Sequence, residues 1–215
     1  MKYLLILFCL LSDYGYLLFA NKKRYLIALL SKTLASLCFL SLGYLGSHGR
    51  FSAYMLVGMA FDGLGDVFLG IRNLGYKKPM FMCGTLSFLI GHVFYLLAML
   101  PFLGSKALYC AIASLGASLC LRGFIVKMAK GDKAYRMTGT IYVTMIVLIG
   151  VCSLTMCLLE YSLAHLVMCL GTLMFVTSDM ILIVYNFGDR KEWMHPVYSA
   201  LYYAGQILIA LSLSL

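Results

Sequence analysis

The chain has 215 residues, of which 63% are hydrophobic and only 12% charged, whereas a water-soluble domain carries about 25% charged residues. So few charges cannot cover a water-facing surface, and so apolar a chain cannot be disordered; lipid is the expected solvent. In such a chain a formal net charge of +9 belongs to cytoplasmic loops and is no sign of nucleic-acid binding.

A spanning helix needs about 20 mostly apolar residues, and eight runs approach or exceed that length. The first, 3–20, resembles the core of a signal peptide, but Lys22-Lys23-Arg24 follows it with no clear cleavage site, so it reads as a span; it carries Asp13. The second, 25–44, carries Lys32, and the third, 51–71, carries Asp62 and Asp66. The fourth, 80–103, holds His92 and Tyr95. The fifth is 107–127, where Arg122 can snorkel to the nearby interface, and the sixth is 137–159. The seventh, 163–187, carries Thr172, Asp179 and Asn186; the eighth, 197–214, carries Tyr198, Tyr202 and Gln206. The expected architecture is an all-α membrane protein, an eight-helix bundle forming one transmembrane domain over residues 1–215.

Basic residues divide unevenly between the two sides. Twelve of the 17 lysines and arginines fall in loops after spans one, three, five and seven, against Lys2, Arg50 and Lys106 opposite. The positive-inside rule then places the twelve in the cytoplasm and both termini outside the cell membrane. The eight cysteines are scattered through apolar runs without a Cys-x-x-Cys pair, as inert buried thiols are.

Span three ends with Asp66-x-x-Leu69-x-x-x-Asn73-x-Gly75, and span seven with Asp179-x-x-Leu182-x-x-x-Asn186-x-Gly188. Gly91-His92 and Gly205-Gln206 follow at nearly equal offsets. Either a parallel four-plus-four duplication or chance similarity in an apolar chain accounts for these matches.

Each ionisable group inside a span costs about 2.5–3.5 kcal/mol on insertion scales, and each is a functional candidate. Helical spacing puts Asp62, Asp66 and Asn73 on one stripe. Thr172, Asp179 and Asn186 form another, as do Tyr198, Tyr202 and Gln206, while His92 and Tyr95 share a face. Burying these stripes together builds one polar pocket in the cytoplasmic half. Several residues also have plainer readings. Asp13 and Lys32 flank the first loop and read as an ion pair. Asp62 reads as an interhelical hydrogen bonder and His92 as a core histidine. Asn73, Asn186 and Gln206 read as interhelical glue. Asp66 and Asp179 are different, since two carboxylates stand at matching positions with no basic side chain left over for them.

Two carboxylic acids in low dielectric can share a proton, one acting as acid and the other as base. Aspartic proteases and glycosidases work this way. Hydrolysis of a vinyl ether makes the same demands: an acid protonates the alkene carbon, water adds, and the hemiacetal collapses to an aldehyde and an alcohol. No metal or other cofactor is required. The sequence carries no nucleophile elbow, zinc-protease motif, phosphate loop or dinucleotide fingerprint.

Four segments then carry a resemblance. They are Gly65-Asp66-Val-Phe-Leu69, Phe88-Leu-Ile-Gly91-His92-Val-Phe-Tyr95, Phe175-Val-Thr-Ser178-Asp179, and Tyr202-Tyr203-Ala-Gly205-Gln206-Ile-Leu-Ile-Ala210. In this order and spacing the chain resembles the YhhN family of multi-pass membrane proteins, whose animal members are lysoplasmalogenases. Lys32-Thr33 departs from the Lys-Pro common there. The resemblance implies a lysophospholipid with a vinyl ether chain as substrate, and a fatty aldehyde and a glycerophospho-headgroup as products. It implies Asp66 and Asp179 as the catalytic pair. Asp62, His92, Tyr95, Asn73, Asn186, Tyr202, Gln206 and Lys32 become candidates for holding water or the headgroup.

Two other functions compete. Gly63-Leu64-Gly65-Asp66 fits a GxGD-type intramembrane aspartyl protease, but the partner aspartate comes later in the chain and no Pro-Ala-Leu is present. A small-molecule or lipid transporter or binding protein would use the aspartates as proton or headgroup sites. The lack of Gly/Pro-broken spans speaks against it.

Overall fold

A computed structural model describes residues 1–128 and 133–215, without the side chains at 50, 77, 78, 122–128 and 133–138. The expected snorkelling of Arg122 and the loop charges Arg50, Lys77, Lys78, Lys127, Lys130, Lys133 and Arg136 lie outside the described residues. The described residues form eight helices and no strand: α1 (Lys2–Asn21), α2 (Tyr25–Gly46), α3 (Gly49–Arg72), α4 (Lys77–Leu103), α5 (Lys106–Met128), α6 (Lys133–Leu159), α7 (Leu163–Phe187) and α8 (Met194–Ser212). Six of them, α1 to α4, α6 and α7, are long and apolar enough to cross a membrane. The described apolar part of α5, Lys106–Leu121, is shorter. α8 is not among the six; its buried face carries Tyr198, Ser199, Tyr202, Tyr203 and Gln206.

Local chemistry sets the helix ends. After α1, Lys23 takes a left-handed conformation (φ 58°), which turns the chain within three residues. Gly104 ends α4 at φ 50°, a conformation that a glycine adopts without steric cost. Ser162 caps α7, its Oγ accepting the backbone N–H of His165 at 3.1 Å. Pro196 sits in the first turn of α8, where its missing N–H breaks no helical bond.

Large apolar side chains point outward as well as inward. Leu30, Leu34, Leu37, Leu108, Leu115 and Leu158 are all exposed, while Phe39, Met59, Ile146 and Tyr203 are fully buried. A water-soluble monomer does not expose apolar surface on this scale. The protein is therefore a multi-pass helical membrane protein, its leucine coat facing acyl chains.

Consecutive helices pack as hairpins, α1 on α2, α3 on α4, α5 on α6 and α7 on α8. α2 also packs against α3 and α8, and α6 against α7 and α4. α1 touches α8, and α5 touches α4. Exchanging the first four helices for the last four leaves this set of contacts unchanged. The two tightest crossings correspond as well. A Cβ on Gly91 would lie 2.8 Å from the Gly58 carbonyl oxygen, and one on Gly205 would lie 2.7 Å from that of Gly171. At both crossings the side-chain volume of glycine, rather than its φ, sets the approach. The penultimate residue, Ser214, packs on Gly46, and Met1 shares a surface recess with Tyr44 and Leu45. Both chain ends thus lie at the end of the bundle where α2 stops.

Candidate active site

Asp66 lies on α3, 1% exposed. Lys32 of α2 reaches it with Nζ 2.8 Å from Oδ1. One turn further along α2, Ser36 donates its hydroxyl to Oδ2 at 2.6 Å. From α8, Tyr202 donates to Oδ2 at 2.9 Å and Tyr203 at 3.4 Å. The ammonium of Lys32 also stands 5.1–5.8 Å from the ring centroids of Tyr16, Tyr202 and Tyr203. These contacts give a buried charge pair the extra hydrogen bonds and ring faces that offset its desolvation.

Two expectations change here. Lys32 does not pair with Asp13, because α2 packs against α1 and α3 together and its long side chain reaches toward α3. Asp13 instead accepts the hydroxyl of Ser199 on α8 at 2.5 Å. Asp66 consequently does have a basic partner inside the bundle.

Asp179 lies on α7, 3% exposed, and accepts the phenol of Tyr142 from α6. No cation stands within ion-pair distance of it among the described residues. Neighbouring Ser178 donates to the carbonyl of Tyr198, fixing α7 against α8 at this level.

Asp66 and Asp179 line one cleft, together with Tyr16, Lys32, Arg72, Asn73, Tyr198 and Tyr202. Beside it runs a second cleft, lined by Phe81, Thr85, Tyr142, Ile183, Asn186 and Phe187. Leu69, Phe88 and Leu182 line both. A polar chamber therefore adjoins an apolar groove.

The remaining candidates form a separate, sealed cluster. Asp62 is fully buried and accepts Tyr95 Oη–H at 2.5 Å and Gln206 Nε2–H at 2.7 Å, both on Oδ2. His92 is also fully buried, packed edge-on to Phe175 and beside Tyr142. Asp62, His92, Tyr95 and Gln206 do not line the cleft that holds Asp66. The single pocket expected from the stripes is thus two storeys. Asp62 precedes Asp66 by one helical turn, and that turn separates them.

Of the two asparagines, Asn73 lines the polar cleft and Asn186 the apolar one. Asn186 Oδ1 accepts from Arg72 Nη1 at 3.3 Å, bridging α7 and α3. Ser36, Tyr142 and Arg72 are site residues that the stripe argument missed. Ser36 carried a signal, four residues after Lys32 on one helical face. Arg72, the last residue of α3, reads from the sequence as one more loop charge. Tyr142 is a lone phenol in an apolar run, which spacing cannot single out.

Comparison with known sequences decides the family. The family model described as the YhhN family matches residues 27–213. The chain belongs to the YhhN family. Among curated relatives, human lysoplasmalogenase TMEM86A is 28% identical over 180 residues, covering 80% of this chain and 69% of that protein. No solved structure matches the chain. The Gly-x-Gly-Asp segment also acquires a packing reason independent of proteolysis. A Cβ on Gly65 would lie 2.6 Å from the ring of Phe88, so this YhhN protein uses the glycine to seat that ring beside the cleft.

Proposed function

We propose that this protein is an integral membrane hydrolase that cleaves the vinyl ether bond of lysoplasmalogens, with Asp66 and Asp179 as its acid/base pair. One observation carries the reading: the two aspartates line the same polar cleft, and an apolar groove adjoins it. An amphiphile with one chain fits that division. Membership of the YhhN family and the lysoplasmalogenase relative support it.

The surroundings of the two acids support different roles for them. Asp66 is met by an ammonium and by hydroxyl donors, the company of a carboxylate. Asp179 is met by a neutral phenol. Asp179 therefore gives its proton to the alkene carbon remote from the ether oxygen. The adjacent carbon becomes part of an oxocarbenium ion, which the Asp66 carboxylate stabilises. Asp66 directs a water onto that carbon and takes its proton. Asp66 passes that proton to the glyceryl oxygen as the hemiacetal breaks its bond to it, so that it leaves as an alcohol. The hydroxyl proton goes to Asp179 and an aldehyde remains. One water is consumed, both acids return to their starting states, and the chain supplies every group without a cofactor.

In this reading residues 1–215 form one domain of eight spans in the cell membrane, with both termini outside and the cleft opening toward the cytoplasm. The paired helix contacts favour a parallel four-plus-four duplication as its origin. The test is aldehyde release from a lysoplasmalogen by purified protein in detergent. Asp66→Asn and Asp179→Asn should each lose at least about 100-fold, the range for removing a general acid or base. Full activity in either variant would refute its role. A wild type that binds the lipid without releasing aldehyde would favour a binding or transport protein.

A further inference from the structure

We propose that Arg72 is the phosphate anchor of the cleft, recognising the phosphodiester of the lysolipid and setting the preference for a phospholipid over a neutral glycerol ether. This deepens the hydrolase reading and rests on it for the identity of the lipid.

Arg72 and Lys32 are the two cationic side chains lining the cleft. Lys32 is committed to Asp66 at 2.8 Å. Arg72 has no carboxylate within ion-pair distance among the described residues. An unpaired guanidinium, half-buried in a membrane protein, is a standing invitation to an anion. Two contacts hold it in place. Nη1 donates to Asn186 Oδ1 at 3.3 Å, and the guanidinium carbon lies 5.6 Å from the ring centroid of Phe81. Asn186 is itself fixed, donating Nδ2–H to the Leu182 carbonyl at 2.9 Å. The bond to Asn186 uses one of the guanidinium donors and leaves the others for a ligand. A guanidinium matches the paired oxygens of a phosphodiester as a fork, which an ammonium cannot do.

Position favours the same assignment. Arg72 lines the polar cleft, while its partners Asn186 and Phe81 line the apolar groove, so it stands where headgroup and chain diverge. Along α3 it lies six residues beyond Asp66, about 9 Å of helix rise. A glycerol backbone together with the reach of the arginine side chain covers that separation. The vinyl ether would then rest at the aspartates with the phosphate at Arg72.

The test measures binding, so it does not depend on turnover. Purified protein in detergent is titrated with a saturated alkyl-ether lysophosphocholine, which has no vinyl bond to cleave, and with the matching alkylglycerol, which has no phosphate. Arg72→Gln should weaken binding of the phospholipid by about 10- to 100-fold, as removal of a charge-assisted hydrogen-bond donor does. It should leave the alkylglycerol unchanged. Arg72→Lys should fall between wild type and Arg72→Gln. Glycerophosphocholine should compete for the site, and inorganic phosphate at the same concentration should not. Equal weakening of both lipids would make Arg72 structural and overturn the proposal, as would unchanged binding of the phospholipid. Displacement by inorganic phosphate alone would overturn the assignment to a lipid headgroup. A phosphate-dependent Arg72 in a protein that releases no aldehyde would sustain the anchor and refute the hydrolase.

Discussion

Asp66 and Asp179 carry the same carboxyl group into different company. Lys32, Ser36 and Tyr202 surround the first, while among the described residues Tyr142 is the donor to the second. Removing one member of a buried ion pair strands the other, at a cost of about 3–5 kcal/mol. Lys32→Met should therefore lower thermal stability markedly, and adding Asp66→Asn should restore part of it, although the double variant stays inactive. Thermal melts of the three proteins check this, and a double variant no more stable than Lys32→Met would count against the pair. Tyr142→Phe deletes the one described donor to Asp179 and should slow turnover about tenfold, equivalent to one net hydrogen bond. The fall should appear in kcat and leave KM nearly unchanged, because phenylalanine keeps the ring that lines the apolar groove and removes only the hydroxyl that meets Asp179. The aspartates themselves were legible in the sequence, since a carboxylate in an apolar run declares itself by its cost. Their partners were not. Lys32 sits at a depth that suits Asp13 and Asp66 equally, and only the packing of α2 between α1 and α3 decides which it meets.

At the scale of the helix, the eight apolar runs and their boundaries were readable to within a few residues, because lipid demands long uninterrupted apolar segments. The helix faces were readable too. How far two faces approach was not, and this is why the expected single pocket divides into a cleft and a sealed cluster below it. The approach depends on Gly58 with Gly91 and on Gly171 with Gly205. At each crossing an added Cβ meets a backbone carbonyl, which cannot move aside. Gly91→Ala and Gly205→Ala should each destabilise the bundle by about 1–3 kcal/mol, the usual cost of overpacking. Gly116 in α5 has nothing within 4 Å of its would-be Cβ. Gly116→Ala should leave stability unchanged or raise it by up to about 1 kcal/mol, through the better helix propensity of alanine. Melting in detergent ranks the three, and a tolerated Gly205→Ala would mean that the helices cross less closely than described here.

The whole molecule is organised about its two ends. Ser214 on Gly46 and Met1 beside Tyr44 bring both termini to one end of the bundle. Arg72, Asn73 and Asn186 lie toward the other end, where they line the two clefts. With exposed Cys83 and Cys120 replaced, Lys2→Cys should react with an impermeant thiol reagent on intact cells. Lys22→Cys should react only after permeabilisation. The reverse pattern would invert the orientation and open the cleft to the outside. The matched helix contacts of the two halves bear on how such a site could arise. Two identical subunits related by a twofold axis must give both aspartates identical neighbours, so that only the position of a shared proton can distinguish them. Joining the halves in one polypeptide lifts that constraint. Lysine and serine can then settle beside one acid and tyrosine beside the other, each changed by its own mutations. Under the proposed roles, covalent linkage would let two matching acids differ permanently in their neighbours, and not only in which of them holds the proton.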